Sequence, residues 1–254
     1  MISRCFAFGC SFTHWFYWPT WADYIGIGYE EYYNLAMPGS SNRTVHNRVI
    51  EANNFYQFTE SDLVLIGITN FGRMNWLETK DRNLSWCCHG GPINWPNNDK
   101  TRFLKSQFWE ERYGIYDTWL MITSLTDLFK AKAVNFHFIM SMDNRHFIDR
   151  GLLSLNYKEL QMSKKIYNLS LTPLSLQEYS TNPNEHPIAE EHFNYVKKYL
   201  PNLLTEESTS YHNEIIDSID YSCSEEQVKI YSKIRARYLD KKVKNVITLY
   251  GSYH

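Results

Sequence analysis

Four short apolar runs, each stopped by a turn residue and separated by helical patterning, constrain this chain more than anything else in it. Cys5-Phe6-Ala7-Phe8 runs into Gly9, and Tyr32-Tyr33-Asn34-Leu35-Ala36 stops at Pro38-Gly39. Leu63-Val64-Leu65-Ile66 runs into Gly67, and the fourth run extends from Ala133 to Met140. Continuous apolar stretches of this length read as strands buried on both faces, the habit of parallel sheets. Between them the spacing predicts helices. One is capped by Asn42 and carries Val45, Val49 and Ile50 toward Phe55. A second covers 117–131, with Leu120, Met121, Leu125, Leu128 and Phe129, and a third covers 188–200, with Ile188, Phe193, Val196 and Leu200. Strands alternating with helices mean βαβ units, so the expected architecture is α/β, a three-layer sandwich on a mainly parallel sheet. The segment 71–116 fits this scheme least well. It reads as an irregular, aromatic-rich insertion, with Trp86, Trp95, Gly90-Gly91, Pro92 and Pro96 between Asn83 and Asp99.

Composition narrows the class. Apolar residues make up 43% of 254, enough to bury the core of one large domain. A net charge of −2 argues against a general nucleic-acid binder and leaves only a local patch for such a role. No run of 18 apolar residues is present, so no membrane span is expected. Met1 to Phe6 lacks the long apolar stretch of a secretion signal, and five cysteines, an odd number, suit a reducing compartment; the expected location is cytoplasmic.

In open α/β sheets the working residues lie just past the carboxyl ends of the strands. That rule selects Gly9-Cys10-Ser11, Pro38-Gly39-Ser40 and Gly67-Ile68-Thr69-Asn70. Ser11 offers a hydroxyl at the first strand–helix turn. Gly39 allows a backbone N–H to approach a ligand closely, and Asn70 offers an amide donor. Late in the chain, Asn184-Glu185-His186-Pro187 places a histidine just before a helix. A nucleophile, two kinds of oxyanion donor and a base are the minimum for acyl transfer. Each residue also has a purely structural reading: Ser11 as a helix cap, Gly39 as a turn glycine, Asn70 as a turn or cap residue, His186 as a surface histidine.

These segments resemble the blocks of the SGNH (GDSL-like) hydrolases. Phe8-Gly9-Cys10-Ser11-Phe12-Thr13 is similar to the first block, with Cys10 where Asp is usual, and Asn34 to Ser41 to the second with its glycine. Asp62 to Asn70, a strand ending in Gly-x-x-Asn, resembles the third, and His186-Pro187 the last. The likeness covers about residues 4–200. It implies an SGNH/flavodoxin-like fold and a serine esterase or acyl hydrolase that needs no metal or cofactor. Ser11 would be the nucleophile and His186 its base; the oxyanion would sit among the Ser11 and Gly39 N–H groups and the Asn70 amide. Trp15, Cys10 and Ser40 are the candidates for contact with the substrate, a small-molecule or glycan ester such as an O-acylated carbohydrate, and Cys10 also reads as a small buried residue behind the serine. A non-catalytic ligand-binding module on this scaffold, or an acyltransferase using the same serine, are the alternatives. The Asp that usually stands three residues before the histidine is Pro183 here. A Ser–His dyad is therefore expected, with Asn184 or a backbone carbonyl holding the ring and a titration at about 6–7.

Several features carry less chemistry. His192 reads as structural. Cys87-Cys88-His89 lacks the C-x₂-C spacing that wraps zinc, so no metal site is expected. In the aromatic run from His14 to Trp21, Trp21 reads as core, as does Tyr24 beyond it, and Trp15, Phe16 and Trp18 as plain packing or as a wall of the substrate cleft. Residues 201–254 read as a helical extension. Seven acids lie between Glu206 and Glu226 and seven bases between Lys229 and Lys244. Ser224 would cap a helix over 225–242 whose stripe is Val228, Ile230, Tyr231, Ile234 and Tyr238. Its basic face would either pair with the acidic stretch or contact a phosphate backbone. A short strand is expected at Val246–Tyr250.

Overall fold

All four apolar runs are strands, and all four pair in parallel. A computed structural model of the chain describes residues 3–73, 75–80, 83–88, 111–142, 175–180, 186–240 and 242. In chain order the elements begin with β1 (Arg4–Phe8), α1 (Trp21–Gly26), β2 (Glu31–Asn34), α2 (Asn42–Tyr56) and β3 (Asp62–Ile68). They continue with β4 (Asn75–Lys80), β5 (Asn83–Cys88), α3 (Glu111–Ala131) and β6 (Asn135–Met140). The last are α4 (Leu176–Tyr179), α5 (Ala189–Tyr199), α6 (Glu206–Ser218) and α7 (Glu225–Tyr238).

The main sheet has the order β2-β1-β3-β6, with Ala7 opposite Asn34 on one side and opposite Leu65 on the other. The chain passes from β1 outward to β2 and then returns to the opposite side of β1 for β3. The crevice between β1 and β3 is thus the topological switch point, where open α/β sheets bind ligands.

Strand alternation sorts the core into two layers. On one face Cys5, Ala7, Leu63, Leu65 and Ile139 pack with α1 and α5, through Trp21, Tyr24, Phe193 and Val196. On the other, Phe6, Phe8, Val64, Ile66, Ile68, Phe138 and Met140 pack with α2 and α3. The first face uses small residues on β1 because the opposing helix supplies large rings: Trp21 and Tyr24 are both fully buried. Helices on both faces complete the expected three-layer sandwich. The C-terminal helices join the first layer, where Tyr211, Ile215, Tyr231 and Ile234 share the cluster of Trp21 and Tyr24. The acidic and basic stretches meet there: Arg237 pairs with Glu214, and Lys242 Nζ lies 2.7 Å from Glu207.

Three expectations need correction. The insertion after β3 is not irregular throughout: β4 and β5 form an antiparallel hairpin, paired from Asn75–Cys88 to Lys80–Asn83, and α3 begins at Glu111. Asn42 does not cap α2; Ser41 does, its hydroxyl accepting from the Thr44 N–H. Two good capping residues stand side by side, and tertiary contacts claim the second. The helix expected over 225–242 ends at Tyr238. Val246–Tyr250 lies outside the described residues, and so does His89.

At the end of the sheet away from the crevice, Arg4 closes on Asp62 through two parallel contacts. Nε donates to Oδ1 and Nη2 to Oδ2, both at 2.7 Å. The Thr59 N–H also donates to this buried carboxylate, so the pair ties β1, β3 and the preceding turn together. Asp62→Ala should therefore lower stability by about 2 kcal/mol, because it strips the partner from a part-buried cation and the acceptor from the Thr59 N–H. Chemical denaturation of the two proteins at neutral pH measures the difference; a loss below about 0.5 kcal/mol would show the pair to be dispensable.

Candidate active site

The residues that follow β1, β2 and β3 come together at the switch point because the strand register puts them there. Phe8 is opposite Ile66, so Ser11 and Asn70 stand three and four residues beyond paired positions. The Met37 N–H donates to the Gly9 carbonyl at 3.1 Å, which sets the Gly39 turn beside the Ser11 turn. Gly9 is needed for close approach: a Cβ there would lie 2.2 Å from Thr13 Oγ1 and 3.4 Å from the Gly67 Cα. Beyond it the Cys10 carbonyl accepts from the Thr13 and His14 N–H groups, and this tight turn presents Ser11. The Asn34 amide and the Thr20 hydroxyl both donate to the Thr13 carbonyl, holding the turn from two sides.

His186 lies 175 positions further along the chain, and its Nε2 is 2.7 Å from Ser11 Oγ. A neutral ring accepting the serine proton at Nε2 carries its own proton on Nδ1. Among the described residues no carboxylate or carbonyl meets that nitrogen. Two aromatic rings hold the imidazole. Trp15 stacks on it with centroids 3.7 Å apart and planes within 13°, and Phe12 packs at 4.9 Å. The loop behind the histidine is pinned by Trp18, whose Nε1 donates to the Pro187 carbonyl at 2.8 Å. Glu191 Oε2 accepts from the Ile188 N–H at 2.9 Å and starts α5 immediately after.

The three expected oxyanion donors keep their hydrogen-bonding capacity. Neither the Ser11 nor the Gly39 N–H donates to a partner among the described residues. Gly39 takes φ 78°, a left-handed conformation that costs a residue without Cβ little. Asn70 accepts the Gly72 N–H at its Oδ1, 2.7 Å away, so the nitrogen end of its amide is the end that remains to donate.

Two asparagines fix this arrangement, and neither was singled out for it from sequence. The Asn42 amide reads the backbone of Thr69 in both directions. Its Oδ1 accepts the Thr69 N–H at 2.9 Å, its Nδ2 donates to the Thr69 carbonyl at 3.1 Å, and it also meets Thr118 at 2.8 Å. Asn75, the first residue of the hairpin, holds the Gly39 turn. Its Nδ2 donates to the Gly39 carbonyl at 3.3 Å, while its Oδ1 accepts from the Ser41 N–H and the Thr44 hydroxyl. No local spacing marks such residues; both contacts span about thirty positions of chain.

The remaining candidates sort differently. Ser11 is only 6% exposed and Asn70 7%, so the Ser11 hydroxyl does not sit at an open surface turn. Cys10 and Ser40 are fully buried, behind the turns rather than on a cleft wall. Trp15 stacks on the His186 ring, Trp18 is buried and bonded to the Pro187 carbonyl, and Phe16 is the ring that faces solvent. His192 is structural: it is buried, and its Nδ1 accepts the Trp21 N–H at 3.3 Å. Pro183, Asn184 and Glu185 lie outside the described residues, as does any test of Asn184 against the ring. Among the described residues no cluster of three His, Cys, Asp or Glu is arranged to hold a metal ion, and no helix is long and apolar enough to cross a membrane.

Neither a family model nor a curated protein matches the chain. Solved structures do. The likeness is to GDSL-type hydrolases. A GDSL-like lipase from Bacteroides thetaiotaomicron is 14% identical over 79% of this chain and 86% of its own, with a TM-score of 0.42. A catalytic mutant of an acetylxylan esterase from Geobacillus stearothermophilus is 12% identical over 79% and 94%, at 0.45. A member of the lipolytic G-D-S-L family from Veillonella parvula is 10% identical over 78% and 96%, at 0.42. At such identity and overlap the assignment of the site is left to the residues of this chain.

Burial, reinforced by the positive charge of Arg73, lowers the pKa of His186 to about 4, well below the 6–7 expected from sequence. A depressed pKa means the neutral, proton-accepting ring prevails above about 4 and is lost only as pH falls through that value. An NMR titration of the imidazole carbon protons should place the His186 midpoint near pH 4, and a midpoint above 6 would contradict its burial.

Proposed function

We propose that the chain hydrolyses carboxylic esters, with Ser11 as nucleophile and His186 as general base. The observation that carries this reading is the 2.7 Å contact between His186 Nε2 and Ser11 Oγ at the switch point of the sheet. The serine proton passes to Nε2 as Oγ bonds the ester carbonyl carbon, and the negative charge moves to the carbonyl oxygen. The N–H groups of Ser11 and Gly39 and the Asn70 amide receive that oxyanion. On collapse the alcohol leaves with the proton from the imidazolium. Water then attacks the acyl-serine, His186 takes its proton, and the acid is released as Ser11 recovers its hydrogen. No step requires a metal or cofactor. Trp15 presents its π-face to the ring that becomes positive, a contact worth about 2 kcal/mol to a desolvated cation.

The substrate class we favour is an O-acylated carbohydrate or similar small ester, since Phe16 offers an exposed ring two positions from the buried Trp18 clamp. A cytoplasmic setting agrees with the free thiols of Cys5, Cys10 and Cys223. The second reading, a ligand-binding module on the same scaffold, draws on the low exposure of Ser11 and on a His186 ring that meets no carboxylate among the described residues.

A fluorophosphonate probe should label the intact protein at Ser11. Ser11→Ala and His186→Ala should each cut ester turnover by about 10³-fold or more, and the double variant should be no worse than either, because the pair acts as one unit. Asn70→Ala should lower kcat by about 10²-fold with KM nearly unchanged. Turnover that survives Ser11→Ala would remove the serine from the mechanism. Absence of both labelling and turnover in the folded protein would select the binding module. If acyl groups appear on an added alcohol instead of in free acid, the chain is a transferase using the same serine.

A further inference from the structure

Among the described residues, Arg73 is a charged side chain near the His186 ring that the mechanism above leaves unused. It closes the turn that carries Asn70: the Arg73 N–H donates to the Asn70 carbonyl at 3.2 Å, within the same loop in which Gly72 engages the Asn70 side chain. The residue is 7% exposed. Its Nη1 donates to Thr69 Oγ1 at 2.9 Å, while its buried Nε has no hydrogen-bond partner among the described residues. Among the described residues no carboxylate pairs with it.

Burying a guanidinium without a counter-charge is costly, and an unmet donor on it adds to the cost. The chain shows elsewhere what this side chain does when satisfied. Arg4 uses its Nε and Nη2 edge to grip both oxygens of Asp62 at 2.7 Å. In Arg73 the Thr69 hydroxyl occupies Nη1, so the edge left over is that same Nε/Nη2 fork, whose spacing matches a planar carboxylate. The cation is also close enough to His186 to disfavour protonation of its ring. Such a charge hinders the base unless an anion accompanies the substrate and offsets it.

We propose that Arg73 is a specificity-determining residue whose Nε/Nη2 edge receives a carboxylate carried by the substrate. The ester cleaved at Ser11 is then an anionic one, with its carboxylate on either the acyl or the alcohol part. This rests on the esterase reading above and narrows its substrate class.

Two measurements separate the proposal from that reading. The first needs no turnover: titration calorimetry of succinate, and of neutral succinamide, into the full chain bearing Ser11→Ala, with and without Arg73→Met. Succinate should bind, succinamide should not, and Arg73→Met should weaken succinate by about 10–100-fold, the worth of charged hydrogen bonds. The second compares kcat/KM for the 4-nitrophenyl monoester of adipic acid against 4-nitrophenyl hexanoate, and for acetylated galacturonic acid against acetylated galactose. The anionic member of at least one pair should be preferred by about tenfold or more, and which pair responds assigns the carboxylate to the acyl or the alcohol side. Arg73→Met should abolish that preference mainly through KM and move the pH midpoint of the reaction upward, which a merely structural arginine would not do. Should the methionine variant fail to fold, Arg73→Lys keeps the charge, lacks the fork, and should lose most of the preference. Succinate binding that is absent, or is indifferent to Arg73, overturns the proposal, as does equal use of charged and neutral esters. Arg73-dependent succinate binding with no turnover of any ester sinks the hydrolase reading and with it the anionic-ester substrate, leaving only an anion-binding residue.

Discussion

β1 is hydrogen-bonded on both sides, to β2 and to β3, with all three strands pointing the same way. Everything chemical in the molecule follows from that pairing, because parallel strands deliver their carboxyl ends to one edge of the sheet. Three loops far apart in sequence are thereby stacked side by side: Ser11 after β1, Gly39 after β2, Asn70 after β3. The sheet supplies coarse placement and side-chain amides supply the fine adjustment. Asn42 clamps the last residue before Asn70 and Asn75 clamps Gly39 itself. Both asparagines are buried, so each amide that lost its backbone partner would be left unsatisfied, at about 1–3 kcal/mol. The site is therefore held by the same burial that holds the fold.

The electrostatics of the crevice run against charge on the base. His186 is enclosed by Trp15 and Phe12, and its neighbours are a cation, Arg73, and a second buried histidine. A ring that stays neutral is ready to accept a proton, yet an imidazolium formed in the proposed attack would be poorly served by desolvation. The Trp15 face offsets part of this deficit, and an anion on Arg73 would offset more. On that proposal substrate charge and catalytic competence would be coupled through one cation, and binding energy from a remote group would be expressed at the reacting centre.

The sheet was legible in the sequence because buried parallel strands cannot hide: a run such as Leu63-Val64-Leu65-Ile66 ending in glycine has few other homes. The strand-end rule then pointed to Ser11, Gly39 and Asn70 without further information. What the sequence concealed is mostly long-range. Trp15 and His186 are 171 positions apart, and nothing local tells a cleft wall from a ring stacked on the base. Ser41 and Asn42 are equally good caps on paper; only the tertiary demand of Thr69 decides between them. The β4–β5 hairpin was masked by its own composition, with Trp, Gly and Pro crowding the downstream segment. Arg73 carried no signal at all, since a single arginine after a turn looks like solvated surface until its burial is known. The titration of His186 was misjudged for the same reason: a reference pKa assumes water around the ring.

Orienting a catalytic imidazole requires fixing both its plane and its rotation within that plane. Stacking on Trp15 fixes the plane, because tilting would break a 3.7 Å contact. It leaves rotation within the plane nearly free, and that is the degree of freedom a carboxylate on Nδ1 ordinarily removes. Here the backbone removes it. The Pro187 carbonyl is tied to the Trp18 indole, proline restricts the φ that follows, and Ile188 is drawn into the start of α5 by Glu191. With the peptide on its carboxyl side held and its ring packed against Trp15 and Phe12, His186 reaches Ser11 at 2.7 Å. Positioning by packing has a chemical consequence. Among the described residues it aligns the ring without placing a negative charge beside it, so on the proposed esterase reading the charge that balances an imidazolium would come from elsewhere, and an anion received by Arg73 is the source we propose.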